Sequence, residues 1–139
     1  MVKLLVGHKG SGKTKMMVDM ANSSLDKLNG SVVFINKNRR LMYDLKYRIR
    51  VICMEDFEQV TNVDEYIGFI LGIISQDHDI EMVFIDSILK HADISVDDLE
   101  DFFGRLSAIS ATYGFDFIIS VSAEKEELGE YINKYEILN

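Results

Sequence analysis

The sequence predicts a single α/β domain, built on a mostly parallel five-stranded sheet that has helices on both faces. Its 139 residues fit one domain, 1–139. Short apolar runs alternate with longer segments in which apolar residues recur every three or four positions, a pattern typical of buried strands and amphipathic helices. A glycine-rich stretch joins the first apolar run to the first helical segment. We expect a three-layer domain organised around that stretch.

The glycine-rich stretch has the pattern G-x-x-x-x-G-K-T and follows the apolar run 3–6. Glycines allow a tight turn that brings backbone N–H groups against phosphate oxygens, and a helix N-terminus adds further N–H groups. Lys13 is expected to meet the β- and γ-phosphates of ATP, and Thr14 to ligate Mg²⁺. The predicted binding residues are Gly7, His8, Lys9, Gly10, Ser11, Gly12, Lys13 and Thr14.

The composition limits the range of partners. Fifteen basic and 23 acidic residues give a net charge of −8, which disfavours a non-specific hold on nucleic acid or anionic membranes but leaves room for a local basic patch. The single cysteine, Cys53, allows no internal disulfide and fits a reducing compartment. The chain starts directly before the glycine-rich stretch, and apolar runs such as 66–74 are too short to span a bilayer. We expect a cytoplasmic protein with no membrane partner.

The first half of the chain predicts two helices and two further strands. A helix over 12–28 precedes a buried strand over 31–36. The basic run 37–40 follows that strand, either as a solvated loop or as a group that approaches phosphates or a partner. A third strand is expected over 48–54. The next helix begins after the N-cap Asn62, with Glu65 as its capping-box partner.

The second half contains an apolar strand, 81–86, that ends in Asp86. An aspartate at this end of a strand can hold Mg²⁺ or a water of its shell. Ser95 and Asp98 form a predicted capping box for a helix that Gly114 ends. The predicted fifth strand, 115–121, leads to Ser122, which either senses the γ-phosphate or caps a helix over 124–128. Residues 135–138 are an alternative sixth strand at the sheet edge.

Taken together, these motifs resemble P-loop NTPases of the RecA-like (ASCE) branch. The ending Val83-Phe84-Ile85-Asp86-Ser87 is of the RecA type, and two strands and a long helix separate it from the phosphate loop. The resemblance implies the strand order 3-2-4-5-1 and a polar sensing residue at Ser120 or Ser122. The chain is also similar to short bacterial proteins labelled twitching-motility-type ATPases, a label that does not by itself establish a motility role.

The resemblance also implies a catalytic glutamate, and here the sequence departs from the pattern. RecA-like proteins carry it after the second strand, where this chain has Asn38, and other branches carry it where this chain has Ser87. Glu55, after the third strand, is the remaining carboxylate. The predicted catalytic residues are therefore Lys13, Glu55 and Asn38. The candidates for an arginine finger are Arg39, Arg40 and Arg105.

These features predict binding of ATP with Mg²⁺ and weak hydrolysis. The alternative is a non-catalytic switch or interaction module that responds to nucleotide. A small-molecule kinase is less expected, because 139 residues leave little for an acceptor pocket and a lid. A homo-oligomer or a protein partner follows only by analogy with the RecA-like branch, and nucleic acid is not the expected partner.

Overall fold

The computed structural model describes residues 1–139, in which six strands alternate with three α-helices, except that no α-helix separates the second strand from the third or the fifth from the sixth. Short 3₁₀ turns fill several of the connections. The strands are β1 Val2–Gly7, β2 Ser31–Asn36, β3 Arg50–Cys53, β4 Ile80–Ile85, β5 Asp116–Ser122 and β6 Glu136–Ile137, and the helices are α1 Lys13–Ser24, α2 Val63–Gln76 and α3 Leu99–Tyr113.

All six strands are parallel and form one sheet in the order β3-β2-β4-β5-β1-β6. The order of the first five strands is the predicted one, with β5 between β1 and β4. The prediction of five strands was wrong, because β6 pairs with β1 through Glu136 and Ile137, and the alternative of a sixth edge strand within 135–138 is confirmed. Asn139 extends this edge: its side chain bonds the N–H of Val6 at 3.0 Å and the carbonyl at 2.7 Å.

Alternation along the strands gives the sheet two buried faces. Leu4 packs into the larger core cluster together with α2 and α3, whereas its neighbour Leu5 packs into the smaller cluster with α1. In β4, Val83 and Ile85 likewise face the larger cluster and Phe84 the smaller one. A strand buried on both sides needs this continuous apolar run. The predicted three-layer arrangement is confirmed.

The first helix is shorter than the predicted 12–28, since α1 ends at Ser24. The chain continues in turns, and the Arg48 guanidinium donates to the carbonyls of Leu25 at 3.3 Å and Leu28 at 2.8 Å. An arginine distant in sequence thus provides hydrogen-bond donors for carbonyls beyond the helix end, which have no partner within the helix. Helical periodicity alone does not reveal this contact.

Two other helix predictions also needed correction. Asn62 caps α2 as expected, accepting from the Glu65 N–H at 2.9 Å, but the Glu65 carboxylate accepts from the N–H and hydroxyl of Thr61 instead of from Asn62. The predicted helix over 124–128 is only the 3₁₀ turn Lys125–Glu127. The Ser95–Asp98 capping box forms at the 3₁₀ turn that leads into α3.

Candidate functional site

The glycine-rich loop joins the end of β1 to the start of α1 at the carboxyl edge of the sheet. Gly10 and Gly12 have φ values of 85° and 87°, in the left-handed region that side chains rarely adopt. No atom lies within 4 Å of a β-carbon built at either position. These two glycines are therefore required by the backbone conformation and not by lack of space.

The N–H groups of residues 12–15 donate to no acceptor within the chain. The first intrahelical bond of α1 runs from the N–H of Met16 to the carbonyl of Gly12, at 3.2 Å. A helix start with four free N–H groups and the positive end of the helix dipole suits an anion. The loop thus has the donors that a chain of phosphates would need.

Lys13 lies over the loop, with only 5% of its surface exposed. Its ammonium donates to the carbonyls of Gly7 and His8, at 2.8 Å each. Burial lowers the pKa of Lys13, while the negative charges of Asp86 and Glu124 act in the opposite direction. The ammonium is held at the mouth of the loop, where phosphate oxygens would compete with the two carbonyls.

Thr14 and Asp86, the two predicted metal residues, are in contact. The Thr14 hydroxyl donates to Asp86 Oδ2 at 3.0 Å. The carboxylate is 3% exposed and also accepts from the Ser120 hydroxyl at 2.7 Å. The Ser120 oxygen in turn accepts from the N–H of Ser87 at 2.7 Å. A hydroxyl and a carboxylate are the oxygen donors that Mg²⁺ prefers, so this pair fits the expected metal.

The two serines considered as γ-phosphate sensors occupy different places. Ser120 is fully buried behind the Asp86 carboxylate, which it orients. Ser122 is half-buried at the end of β5, where it pairs with Gly7 at the start of the phosphate loop. His8 and Lys9 are exposed, and His8 Nδ1 lies 3.1 Å from a carboxylate oxygen of Glu124.

A cleft of about 680 Å³ opens beside the Thr14–Asp86 pair, between the loop after β2 and the turn after β4. Two of the predicted catalytic residues line it: Asn38, in the loop after β2, and Glu55, in the turn after β3. The Glu55 N–H donates to the Lys37 carbonyl at 2.9 Å, which ties the end of β3 to the basic run. The lining residues are Thr14, Asn36, Lys37, Asn38, Arg40, Leu41, Asp44, Glu55, Asp86, Ser87 and Lys90.

The three arginine candidates differ in position. Arg39 forms an ion pair with Asp56 at 2.5 Å. Arg105 lies on α3, outside the cleft, and pairs with Asp64. Arg40 lines the cleft and forms no ion pair; its N–H donates to Asn38 Oδ1 at 3.0 Å. Of the three, only Arg40 lines the cleft beside the Thr14–Asp86 pair.

Sequence reasoning missed Asn36 and Lys90. Asn36 is buried at the carboxyl end of β2, two positions before the expected catalytic place. Lys90 lines the cleft, and its positive charge contributes to lowering the pKa of Lys13. A polar residue at the end of an apolar strand could have indicated Asn36. Nothing in the sequence pattern indicates Lys90, because it reaches the cleft only through the path of the turn after β4.

That turn is conformationally strained. Ser87, directly after Asp86, has a φ of 57°, and Ala92 and Asp93 also have positive φ values. Behind it, buried His91 places Nδ1 3.0 Å from the Tyr66 hydroxyl, and its Nε2 has no hydrogen-bond partner. Burial lowers the pKa of His91 to about 4. The imidazole is therefore neutral at pH 7.

Comparisons with known proteins agree with this geometry. The family model described as RNA helicase matches residues 3–89, more than half of the chain. No curated protein sequence matches. None of the helices is long and apolar enough to cross a bilayer.

Two solved structures share the fold. The flagellar accessory protein FlaH from Methanocaldococcus jannaschii has 16% identity and a TM-score of 0.55, and a KaiC-like protein from Pyrococcus horikoshii OT3 has 18% and 0.65. Each similarity covers 96% of this chain but only 65% and 66% of the respective relative, so the chain spans about two thirds of their length. The twitching-motility label gains no support from these matches. The chain belongs to the RNA helicase family and has the RecA-like fold of P-loop NTPases.

Proposed function

We propose that the chain binds ATP with Mg²⁺ at the phosphate loop and hydrolyses it slowly. The observation that carries this proposal is the convergence of Lys13, Thr14 and Asp86 on a helix start with free N–H groups. Phosphate oxygens would accept from those N–H groups and from Lys13, which exchanges its two loop carbonyls for them. Binding thus uses groups that the fold already holds in place.

Thr14 and Asp86 would hold Mg²⁺, directly or through water. When bound, Mg²⁺ would neutralise charge on the phosphate oxygens. Ser120 fixes the Asp86 carboxylate by its 2.7 Å hydrogen bond. The residues present therefore fit the metal in donor type and in orientation.

Hydrolysis would take place where the cleft meets the phosphate loop. Glu55 would accept a proton from the attacking water, and the Asn38 amide could orient water but could not act as a base. Lys37, Arg40 and Lys90 line the same cleft and would add positive charge near the γ-phosphate. The reaction should be slow without a neighbour, since no carboxylate occupies either of the usual glutamate places.

The test is calorimetry of ATP binding with and without Mg²⁺. Lys13→Ala should weaken binding about tenfold or more, which corresponds to at least about 1.4 kcal/mol. Thr14→Ala and Asp86→Ala should remove the Mg²⁺-dependent part of the affinity. Lys27→Ala, at an exposed lysine without a side-chain partner, is the matched control. Unchanged affinity in Lys13→Ala would overturn the proposal.

A second candidate is a nucleotide-dependent switch without turnover. It is favoured by the position of two loops, after β2 and after β4, which line one cleft and would both meet a γ-phosphate. Phosphate release by the pure protein separates the candidates, because a switch binds ATP and releases no phosphate. Adding candidate acceptors to that assay tests the small-molecule kinase.

Because the matching family model is described as RNA helicase, we also propose RNA as a stimulator of hydrolysis. A second copy or a protein partner that completes the catalytic groups is likewise a proposal. The assay of phosphate release is therefore repeated with RNA and over a range of protein concentrations. Stimulation by RNA at a fixed protein concentration would distinguish the first from the second.

A further inference from the structure

Residues 37–50, the basic segment, differ in charge from the rest of the chain. They hold six of the fifteen basic residues and one of the 23 acidic residues. Arg39 is paired with Asp56, and Arg48 is bound to carbonyls in the turns that follow α1. The other four cations are exposed and form no ion pair: Lys37, Arg40, Lys46 and Arg50. A polyanion would therefore meet uncompensated positive charge on this face.

Two tyrosines stand out from the same segment. Tyr43 is 94% exposed and Tyr47 101% exposed, and neither ring packs on another aromatic side chain. Such exposure of large rings is unusual, because burying an aromatic ring is favourable. The rings lie four residues apart between the cations, so each has a face available for a partner.

The segment is fixed to the body of the domain. Leu45 and Ile49, next to the exposed rings, are buried in the smaller core cluster. Asn22 of α1 donates to the Asp44 carbonyl and accepts from the Lys46 N–H, at 2.9 Å each. The exposed rings therefore project from a segment that is packed against the domain.

An apolar recess of about 470 Å³ lies beside the rings. Met42, Leu45, Ile49 and Val51 line it together with the two tyrosines. Its lining is apolar apart from one charged side chain, Lys46, which suits the face of a planar base. Cations, exposed rings and a recess thus occur on one surface.

We propose that the basic segment is a docking surface for single-stranded nucleic acid. Bases would stack on Tyr43 and Tyr47, while the free cations would contact the backbone phosphates. Every base has a ring face, so the surface would tolerate many sequences. A paired strand keeps its bases stacked inside the duplex and could not use the rings. The acidic remainder of the chain would confine the strand to this face.

The surface also borders the nucleotide cleft, and in this respect the inference rests on the proposed function. Asn38, Arg40 and Asp44 belong to the basic segment and line the cleft that contains Thr14. A strand that draws Arg40 towards its phosphates would change the charge facing ATP. Strand binding and ATP turnover would then be coupled through one short loop.

The experiment measures fluorescence anisotropy with labelled 15-nucleotide strands of uridine or thymidine and with a blunt RNA duplex, without nucleotide. Both single strands should bind, and the duplex should bind about tenfold or more weakly. Tyr43→Ala combined with Tyr47→Ala should lose about tenfold or more, whereas phenylalanine at both positions should keep most of the affinity. Lys46→Ala should weaken binding and lower the salt slope by about one. Tyr113→Ala and Lys134→Ala are the controls, because both residues are exposed and neither lies near the basic segment.

Four outcomes would overturn the proposal. They are no strand binding by the wild type, full binding by the double tyrosine variant, equal binding of the duplex, or preference for an acidic peptide or a second copy. Circular dichroism and ATP calorimetry on the double variant should match the wild type. If the Lys13→Ala variant binds the strand but not ATP, strand docking is supported independently of ATP binding. If the wild type binds ATP but not the strand, the docking proposal fails and the proposed ATP binding stands.

Discussion

At the residue scale, the site combines groups that the sequence pattern identifies with groups that only the fold brings in. Lys13, Thr14 and Asp86 belong to recognisable motifs, and the structure places them together. Lys90 and Asn36 belong to no motif, yet both line the same cleft. A spacing pattern can identify residues whose roles depend on local backbone geometry. It cannot identify a side chain that a later turn returns to the site.

The catalytic role proposed for Glu55 gives a prediction at this scale. Glu55→Gln should lower the rate of phosphate release about 10²-fold or more and leave ATP affinity unchanged, since it removes the proton acceptor but keeps the shape. Glu58→Gln, in the same loop but outside the nucleotide cleft, is the control. Asn38→Glu should raise the rate by placing a carboxylate where RecA-like proteins carry one. Hydrolysis that is insensitive to Glu55→Gln would place the base elsewhere or in a neighbouring subunit.

At the element scale, strand order was predictable and exact boundaries were not. Buried apolar runs identify strands, because each must be covered on both faces. The two-residue strand β6 gives only a weak signal, which is why residues 135–138 were an alternative in the sequence prediction, and its pairing with β1 is reinforced by the Asn139 side chain. Likewise, the Leu28 carbonyl beyond the end of α1 is bound by Arg48, twenty residues further along the chain. Contacts of this range are absent from local patterns.

The cap of α2 gives a prediction about stability. Asn62→Ala should lower the free energy of unfolding by about 1 kcal/mol, because it removes the acceptor of the Glu65 N–H bond. Asn62→Asp should retain most of the stability, and Asn62→Gly should lose only a few tenths of a kcal/mol. Urea denaturation measures the change as a shift of midpoint at constant slope. Equal stability of the alanine and aspartate variants would contradict this account of the cap.

At the scale of the whole molecule, one buried histidine should make stability depend on pH. The pKa of His91 is about 4 in the fold and about 6.5 when unfolded. Between these values the unfolded chain binds a proton that the native chain does not, so stability is complete above about pH 6.5 and falls towards pH 4. The loss attributable to this group is roughly 3 kcal/mol.

Urea denaturation across this range, without nucleotide or metal, measures the effect. His91→Asn should flatten the loss between pH 6.5 and 4, even though it also removes the hydrogen bond to Tyr66. His78→Asn removes an exposed histidine and should keep the wild-type dependence. An equally steep loss in His91→Asn would show that other groups control acid unfolding.

The chain segments around the phosphate loop have a further consequence for the energetics of the domain. Lys13 and Thr14 come from α1, Asp86 follows β4, Ser120 comes from β5, and Asn38 and Glu55 follow β2 and β3. A ligand that contacts residues from several of these segments would recognise the folded chain and not the unfolded one. At a concentration 100-fold above its Kd, such a ligand adds about 2.7 kcal/mol to the free energy of unfolding. The lifetime of the folded chain in a cell would then depend on the local nucleotide concentration.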